Sequence, residues 1–398
     1  MNMKIRLNNV ELVKALKDVV RIIPSTVIRQ SLKFVHISAD LEGERLDFSA
    51  STDDTSVQQT IFQLAVESPL KIERGGACFL PGKELLEIVK RANGEVAIEV
   101  KETKATIKYG KAKFELSGLD PDLFIPYKSD SSRVMASTVS SNDLRKLLSR
   151  TAYATAPSND HRPILQGVNF RLTESEITAT ASDGFRLSKA SIESSAFGDS
   201  VNITIPSTPL SRMLGMLPTD EDEEVTLEFG DTALLASWND GGTRIVMRAL
   251  DGSFPDVSRI MVSGPSWVIV NRQKMIESCD GIAITAAEEN QKIQFEFEND
   301  SIKITGQNSK IGDGSWYLDF VESDGHTREP MLFNVAFWLD TLRSLEGVEN
   351  VRLGFNGQNQ PASIEPCGEE NNSIAVISAI LYSASSKLST TTKESKSA

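Results

Sequence analysis

A chain of 398 residues with 40% hydrophobic and 24% charged side chains has the balance of a globular protein of several domains, which excludes disordered and fibrous classes. Residues 1–9 hold no apolar signal core and no later run is long enough to span a bilayer, so no membrane association and a cytoplasmic location are expected. Three scattered cysteines, Cys78, Cys279 and Cys367, exclude a disulfide framework, and a net charge of −13 argues at first sight against nucleic acid.

The first expected elements are a strand, Met3-Lys-Ile-Arg-Leu7, and a helix over 11–20. Val10, Val13, Leu16 and Val20 recur at helical spacing and predict the stripe it buries, while Lys14, Lys17 and Arg21 share the opposite side. After a turn at Thr52-Asp53, the strand Ala77-Cys-Phe-Leu80 leads through Pro81 to a second helix over 83–91 and the strand Val96-Ala-Ile-Glu-Val100. Leu119-Asp-Pro-Asp-Leu-Phe124-Ile-Pro126 reads as a linker.

The same order then recurs. Val134-Met-Ala-Ser-Thr138 precedes a helix over 142–153, with Ser141 expected as its N-cap. Val168, Phe170 and Leu172 alternate with polar residues, as do Ile177 and Ala179, which predicts two strands about a turn near Glu174. The second of these ends at Ser182-Asp183-Gly184, where glycine accommodates a positive φ. Ile203-Thr-Ile205, Pro206, a helix over 208–217 and Val225-Thr-Leu-Glu-Phe229 follow, and Leu250-Asp-Gly-Ser-Phe254-Pro255 echoes the first linker. The third round runs Trp267-Val-Ile-Val270, Asn271 as a cap, a helix over 273–280, Met331-Leu-Phe333, a helix over 336–345 and Val351-Arg-Leu-Gly-Phe355.

Leu12 and Leu144 stand 132 residues apart, and Leu144 and Met275 stand 131 apart. The strands at Val96, Val225 and Val351 follow at 129 and 126, and the turns at Thr52 and Ser182 at 130. Several landmarks at one spacing predict a tandem duplication, here into 1–127, 128–258 and 259–382, each of ordinary domain size. Strands dominate with two helices per unit, so the expected class is α+β with largely antiparallel sheets. Residues 383–398, rich in Ser, Thr and Lys, are expected to form a disordered tail dispensable for folding.

A search for chemistry returns little. The three histidines, His36, His161 and His326, form no H-E-x-x-H pair, and no cysteine pair has zinc spacing. There is no G-x-x-x-x-G-K-[ST] loop and no G-x-S-x-G elbow, and Gly312-Asp-Gly314 reads as hairpin punctuation. No catalytic residue, metal or cofactor is expected, although a triad dispersed in sequence would escape this search and leaves an α+β enzyme as an alternative. What recurs instead is positive charge. Arg145, Lys146 and Arg150 repeat the basic face of the first helix, Arg272 and Lys274 do so more weakly in the third round, and the second helices add Lys83, Lys90, Arg91, Arg212 and Arg343. One such face is an ordinary solvated helix surface, but recurrence on equivalent helices argues for more than solvation.

With its Ser182-Asp-Gly-Phe-Arg-Leu187 segment and its threefold layout, the chain resembles the beta subunits of bacterial DNA polymerase III, the sliding clamps, over about Met3 to Leu381. The resemblance implies three clamp domains per subunit and a head-to-tail homodimer closed into a ring. Helices line the hole of that ring and sheets form its outer wall. It implies a non-catalytic processivity factor that encircles duplex DNA without sequence preference and tethers the polymerase and the clamp loader through short linear motifs. The basic helix faces and Arg162 would then meet DNA. Acidic stretches such as 220–224 would lie beyond a Debye length of about 8 Å. The dimer joint is expected at Phe114 and Leu116 of one copy, with Ile284 across it. The partner-peptide pocket is expected at Leu165, Ser182, Gly184, Phe185, Arg186, Leu187, Pro255, Arg259, Ile260, Ala375, Ile377, Ser378, Ala379 and Ile380. There Leu165, Leu187, Ile260 and Ile377 would make an apolar floor, and Arg186 and Arg259 would hold a carbonyl or carboxylate at the rim. Two features depart from the family: the strand ends in Ile377-Ser-Ala-Ile380 where a Met-Pro-Met-Arg type is usual, and Phe185 stands where His or Tyr is common. A diverged phage- or plasmid-type clamp is the second alternative.

Overall fold

The computed structural model describes residues 2–24, 29–63, 70–127, 134–196, 200–220, 223–258, 260, 265–286, 291–298, 300–325, 329–368 and 372–379. The expected tail at 383–398 lies outside these residues, as do His326, Arg259 and Ile380. Among the described residues six α-helices punctuate a chain of strands: α1 (Asn9–Arg21), α2 (Gly82–Val89), α3 (Ser141–Ala152), α4 (Ser207–Leu214), α5 (Arg272–Ala283) and α6 (Val335–Ser344). All six fall where the sequence spacing predicts them.

Their starts follow from local chemistry. Asn8, Asn271 and Asn334 each place a side-chain oxygen on an otherwise orphaned amide of the first turn, from Val10, Lys274 and Ala336 respectively. Prolines occupy the N-cap positions of α2 and α4, with extended backbone that turns the chain from strand into helix. At α3 the cap is Ser140 rather than Ser141, for the Ser140 hydroxyl accepts the Asp143 amide at 3.0 Å while the Ser141 hydroxyl donates to the Asp220 carbonyl.

The buried stripe of α1 also differs from expectation. It comprises Leu12, Ala15, Leu16, Val19 and Val20, whereas Val10 is 64% exposed. At about 100° per residue, Val10 lies some 200° around the helix from Leu12, on the wet side with Lys14 and Lys17.

The chain forms two compact units, each of which draws on more than one repeat. One comprises Met1–Arg145, Phe170–Ile177 and Glu193–Asp251, and the other Lys146–Asn169, Thr178–Ile192 and Gly252–Ala398. Strand pairing that ignores the repeat boundary is the reason. In the first unit, Thr243–Arg248 of the second repeat pairs antiparallel with Thr55–Phe62 of the first, so one eight-stranded sheet runs from Val134–Ser140 to Gly76–Pro81. In the second unit, Arg186–Glu193 pairs in the same way with Ser373–Ile377, setting Arg186 opposite Ile377 and Leu187 opposite Val376. Each unit has a further antiparallel sheet. In the first it is five-stranded and ends at Ala112–Ser117; in the second it is four-stranded and ends at Gly312–Asp319. The second unit's core centres on Trp338 of α6, whose fully buried ring meets Phe295, Phe333 and Phe355 at centroid distances of 4.7, 5.4 and 6.5 Å.

The turn that recurs in sequence recurs in structure one residue out of step. Ser51 and Ser182 each aim a hydroxyl at the carbonyl four residues on, and the next residues, Thr52 and Asp183, accept amides from the turn with their side-chain oxygens. Asn308 does the same in the third repeat, accepting the Lys310 amide. The structural offset between the first two turns is therefore 131, not 130.

Candidate nucleic-acid and partner interfaces

The turn at Asp183 positions the second unit's most concentrated cluster of functional groups. Asp183 Oδ1 takes the amides of Phe185 and Arg186, and Gly184 adopts φ +89°. A side chain at Gly184 would be strained by that φ, and its Cβ would require the Arg162 guanidinium, 2.6 Å away, to shift. That guanidinium donates to the Asp183 carbonyl at 2.8 Å and is ion-paired to Asp160, whose carboxyl it pulls down to about 2. Arg162 is thus a brace for the turn through Nε and Nη2 rather than a free cation, though its side chain stays 38% exposed.

Arg186 is likewise not at a rim. Its side chain is 12% exposed, donates from Nε to Asp183 at 3.0 Å and from Nη1 to Asp340 at 2.6 Å, and lies over the rings of Phe337 and Tyr153 at 4.7 and 5.5 Å. Two carboxylates take two of its five N–H donors and two aromatic rings face it, so the cation is held within the fold. Burial raises the Tyr153 hydroxyl pKa, with Ser188 and Thr341 among the hydrogen-bond partners that oppose the shift. Sequence reasoning missed Tyr153, Phe337 and Asp340, which come from the end of α3 and from α6 and carry no local motif. Replacing Arg186 by Ala is expected to cost roughly 3 kcal/mol, because Asp183 is left buried without its cation. Thermal melting checks this; an unchanged melting temperature would contradict the structural role.

The expected apolar floor splits into two parts. Leu165, Leu187, Ala375 and Ile377 are buried and belong to the packed interior. The apolar side chains actually exposed among them are Phe185, 64% exposed, and Ile260, 51% exposed; Pro255 is exposed as well, and Ser378 and Ala379 are half-buried. Ser378 donates its amide to the Phe185 carbonyl at 2.9 Å, which fixes the chain past Ile377 beside that ring.

The cations divide as sharply. Arg150 is only 4% exposed and donates to Asn372, so it faces the interior and not DNA. Arg145 donates to the carbonyls of Leu214, Leu217 and Pro218, satisfying the end of α4. Arg272 donates to the Leu342 carbonyl at 2.7 Å, and burial lowers its pKa. Arg343 grips both oxygens of Asp280, and Lys90 pairs with Glu87. Lys146 and Arg212 are half-buried. Lys14, Lys17, Arg21, Lys83, Arg91 and Lys274 remain exposed.

Sheet edges supply the remaining candidates. Ala112–Ser117 is an edge strand on which Phe114 and Leu116 are half-buried while Lys113 and Glu115 alternate into solvent. Phe114 stacks on Tyr109 at 5.8 Å. In the other unit Ile284, at the end of α5, is 70% exposed, and the edge strand Gly312–Asp319 exposes Trp316 and Tyr317, which sequence reasoning missed. An edge strand with apolar side chains standing out of it is prepared for another strand. Among the described residues no cluster of His, Cys, Asp and Glu could hold a metal ion, and no helix is long and apolar enough to cross a membrane.

Comparison with known proteins gives one consistent result. Models of the N-terminal, central and C-terminal domains of the DNA polymerase III beta subunit match residues 3–127, 138–256 and 264–379. The beta sliding clamp of Staphylococcus epidermidis is 26% identical over 340 residues, covering 84% of this chain and 88% of that protein. Among solved structures, the DNA polymerase sliding clamp from Bacillus subtilis has a TM-score of 0.88 at 26% identity, covering 96% of this chain and 100% of that one. The DNA polymerase III subunit beta from Pseudomonas aeruginosa has the same fold, with a TM-score of 0.86 at 23% identity, covering 96% of this chain and 100% of that one.

Proposed function

Because the chain belongs to the DNA polymerase III beta subunit family, the bacterial beta sliding clamps, we propose that it closes head to tail with a second copy around duplex DNA and tethers the replicative polymerase. The observation that carries this is the tandem match of all three family domains, in order and across nearly the whole chain. The protein is a non-catalytic processivity factor, and the opening energy comes from a separate ATP-driven loader. Family membership displaces the α+β enzyme alternative. The relatives it matches are bacterial sliding clamps, which does not favour the phage or plasmid alternative.

Within this reading the three clamp domains span 1–127, 128–258 and 259–382, and the protein works in the cytoplasm. The ring joins the edge strand carrying Phe114 and Leu116 to the partner copy's surface around Ile284. Polymerase and loader dock short linear motifs on the surface around Phe185 and Ile260. Pro255, Ser378 and Ala379 complete the proposed surface. Two ligand side chains buried there at about 1.5–3 kcal/mol each, less the ordering cost of a flexible peptide, give roughly micromolar affinity. That strength suits partners that must exchange.

The test is topological. After loading by the host loader with ATP, the protein is expected to stay on nicked circular duplex through gel filtration and to leave when the circle is cut. Equal loss from circular and linear DNA would sink the proposal.

A further inference from the structure

Taking as its premise that the helices face the duplex, the electrostatic contact with DNA need not be shared equally by the three repeats. We infer that the helix pair of the first repeat, α1 with α2, carries most of the phosphate contact, and that the pair of the third repeat, α5 with α6, is electrostatically silent.

The third pair neutralises itself. Its helices carry three cations, Arg272, Lys274 and Arg343, against three acids, Glu277, Asp280 and Asp340. Arg343 Nη2 donates to both oxygens of Asp280 at 2.8 and 2.9 Å, a charge pairing across the two helices. Arg272 spends its Nε on the Leu342 carbonyl, which ties α5 to α6. Only Lys274 stands exposed without a partner among the described residues.

In the first pair the opposite holds. Lys14, Lys17 and Arg21 on α1 are exposed, as are Lys83 and Arg91 at the two ends of α2. None of these five forms an ion pair or hydrogen bond among the described residues. The acid among the α1 cations, Asp18, feels all three of them but forms no ion pair with any, and its carboxylate is engaged elsewhere. It is partly buried, accepts the Gln59 side-chain amide at 3.0 Å, and Gln59 is itself held by the Thr243 hydroxyl at 2.9 Å. Gly215 leaves the space that the Arg21 guanidinium occupies, since a Cβ there would lie 2.3 Å from it. Such cations keep their counterions until phosphates displace them, whereas a cation clamped by a carboxylate has none to release. The second repeat is intermediate, with Arg145 and Arg150 committed internally.

The test measures the slope of log affinity against log salt for a short linear duplex between about 50 and 200 mM, where each phosphate contact contributes about 0.9. Lys14→Gln/Lys17→Gln is expected to flatten the slope by about 1.8 and to weaken binding at the low-salt end about tenfold. Lys83→Gln/Arg91→Gln on α2 provides a second, independent reading of the same face. Lys274→Gln is expected to change the slope by less than half of one contact. Asp280→Asn, which releases Arg343, is expected to steepen it by about 0.9. An equal flattening by Lys274→Gln, an unchanged slope in both first-repeat variants, or no steepening in Asp280→Asn overturns the inference. Retention of the wild type on nicked circles tests the premise separately. If it fails, the ring itself is in error; if it holds while the slopes disagree, only the distribution of charge is.

Discussion

Replacing Phe114 and Leu116 together by Asp is expected to convert the dimer into a folded monomer. Both side chains lie on the edge strand Ala112–Ser117 and are half-buried within their own subunit, so the change costs the subunit little. Against a partner strand each would bury apolar surface worth about 1.5–3 kcal/mol, so each joint loses roughly 3–6 kcal/mol. That is about two to four powers of ten for each joint, and dissociation of the ring breaks both, before the cost of placing carboxylates against Ile284 of the partner copy. Light scattering is expected to show the mass halved while circular dichroism keeps its native form. A double variant that remains dimeric moves the joint elsewhere; the exposed Trp316 and Tyr317 on the other unit's free edge are then the residues to change next.

The second large effect concerns partner binding. Phe185→Ala/Ile260→Ala is expected to weaken a clamp-binding peptide at least tenfold, and by up to about a hundredfold, while the protein stays dimeric and as stable as the wild type. The magnitude follows from losing two apolar contacts at about 1.5–3 kcal/mol when fully buried, discounted because a short peptide covers them only in part. Stability is spared because both side chains are more than half exposed. Leu187 and Ile377, in contrast, are buried, and truncating them would open a cavity costing about 2–5 kcal/mol, so a binding loss there would confound docking with packing. Titration calorimetry with a host replisome peptide decides the matter. Unchanged affinity in the double variant would remove this surface from consideration.

Sequence by itself determined the repeat, the six helices and their order, because these depend on short-range chemistry. Asparagines at 8, 271 and 334 precede helices because their side chains can reach an amide two or three residues on, and Pro81 and Pro206 turn strand into helix through their own fixed φ. The turn at Gly184 was legible for the same reason. Family membership was legible too, since spacing and motif survive at 26% identity. Tertiary structure decided which charges are usable. Nothing near Arg150 in sequence announces Asn372, nothing near Arg343 announces Asp280, and nothing near Arg272 announces the Leu342 carbonyl. A guanidinium on a long, mobile stem takes whichever acceptor the packing of distant elements brings within reach, so helical spacing can place an arginine on a face but cannot say whether its charge is already spent. Arg186 is the clearest case. Its position in the turn is local, but its burial between Tyr153 and Phe337 and its pairing with Asp340 exist only once α3 and α6 have packed around it.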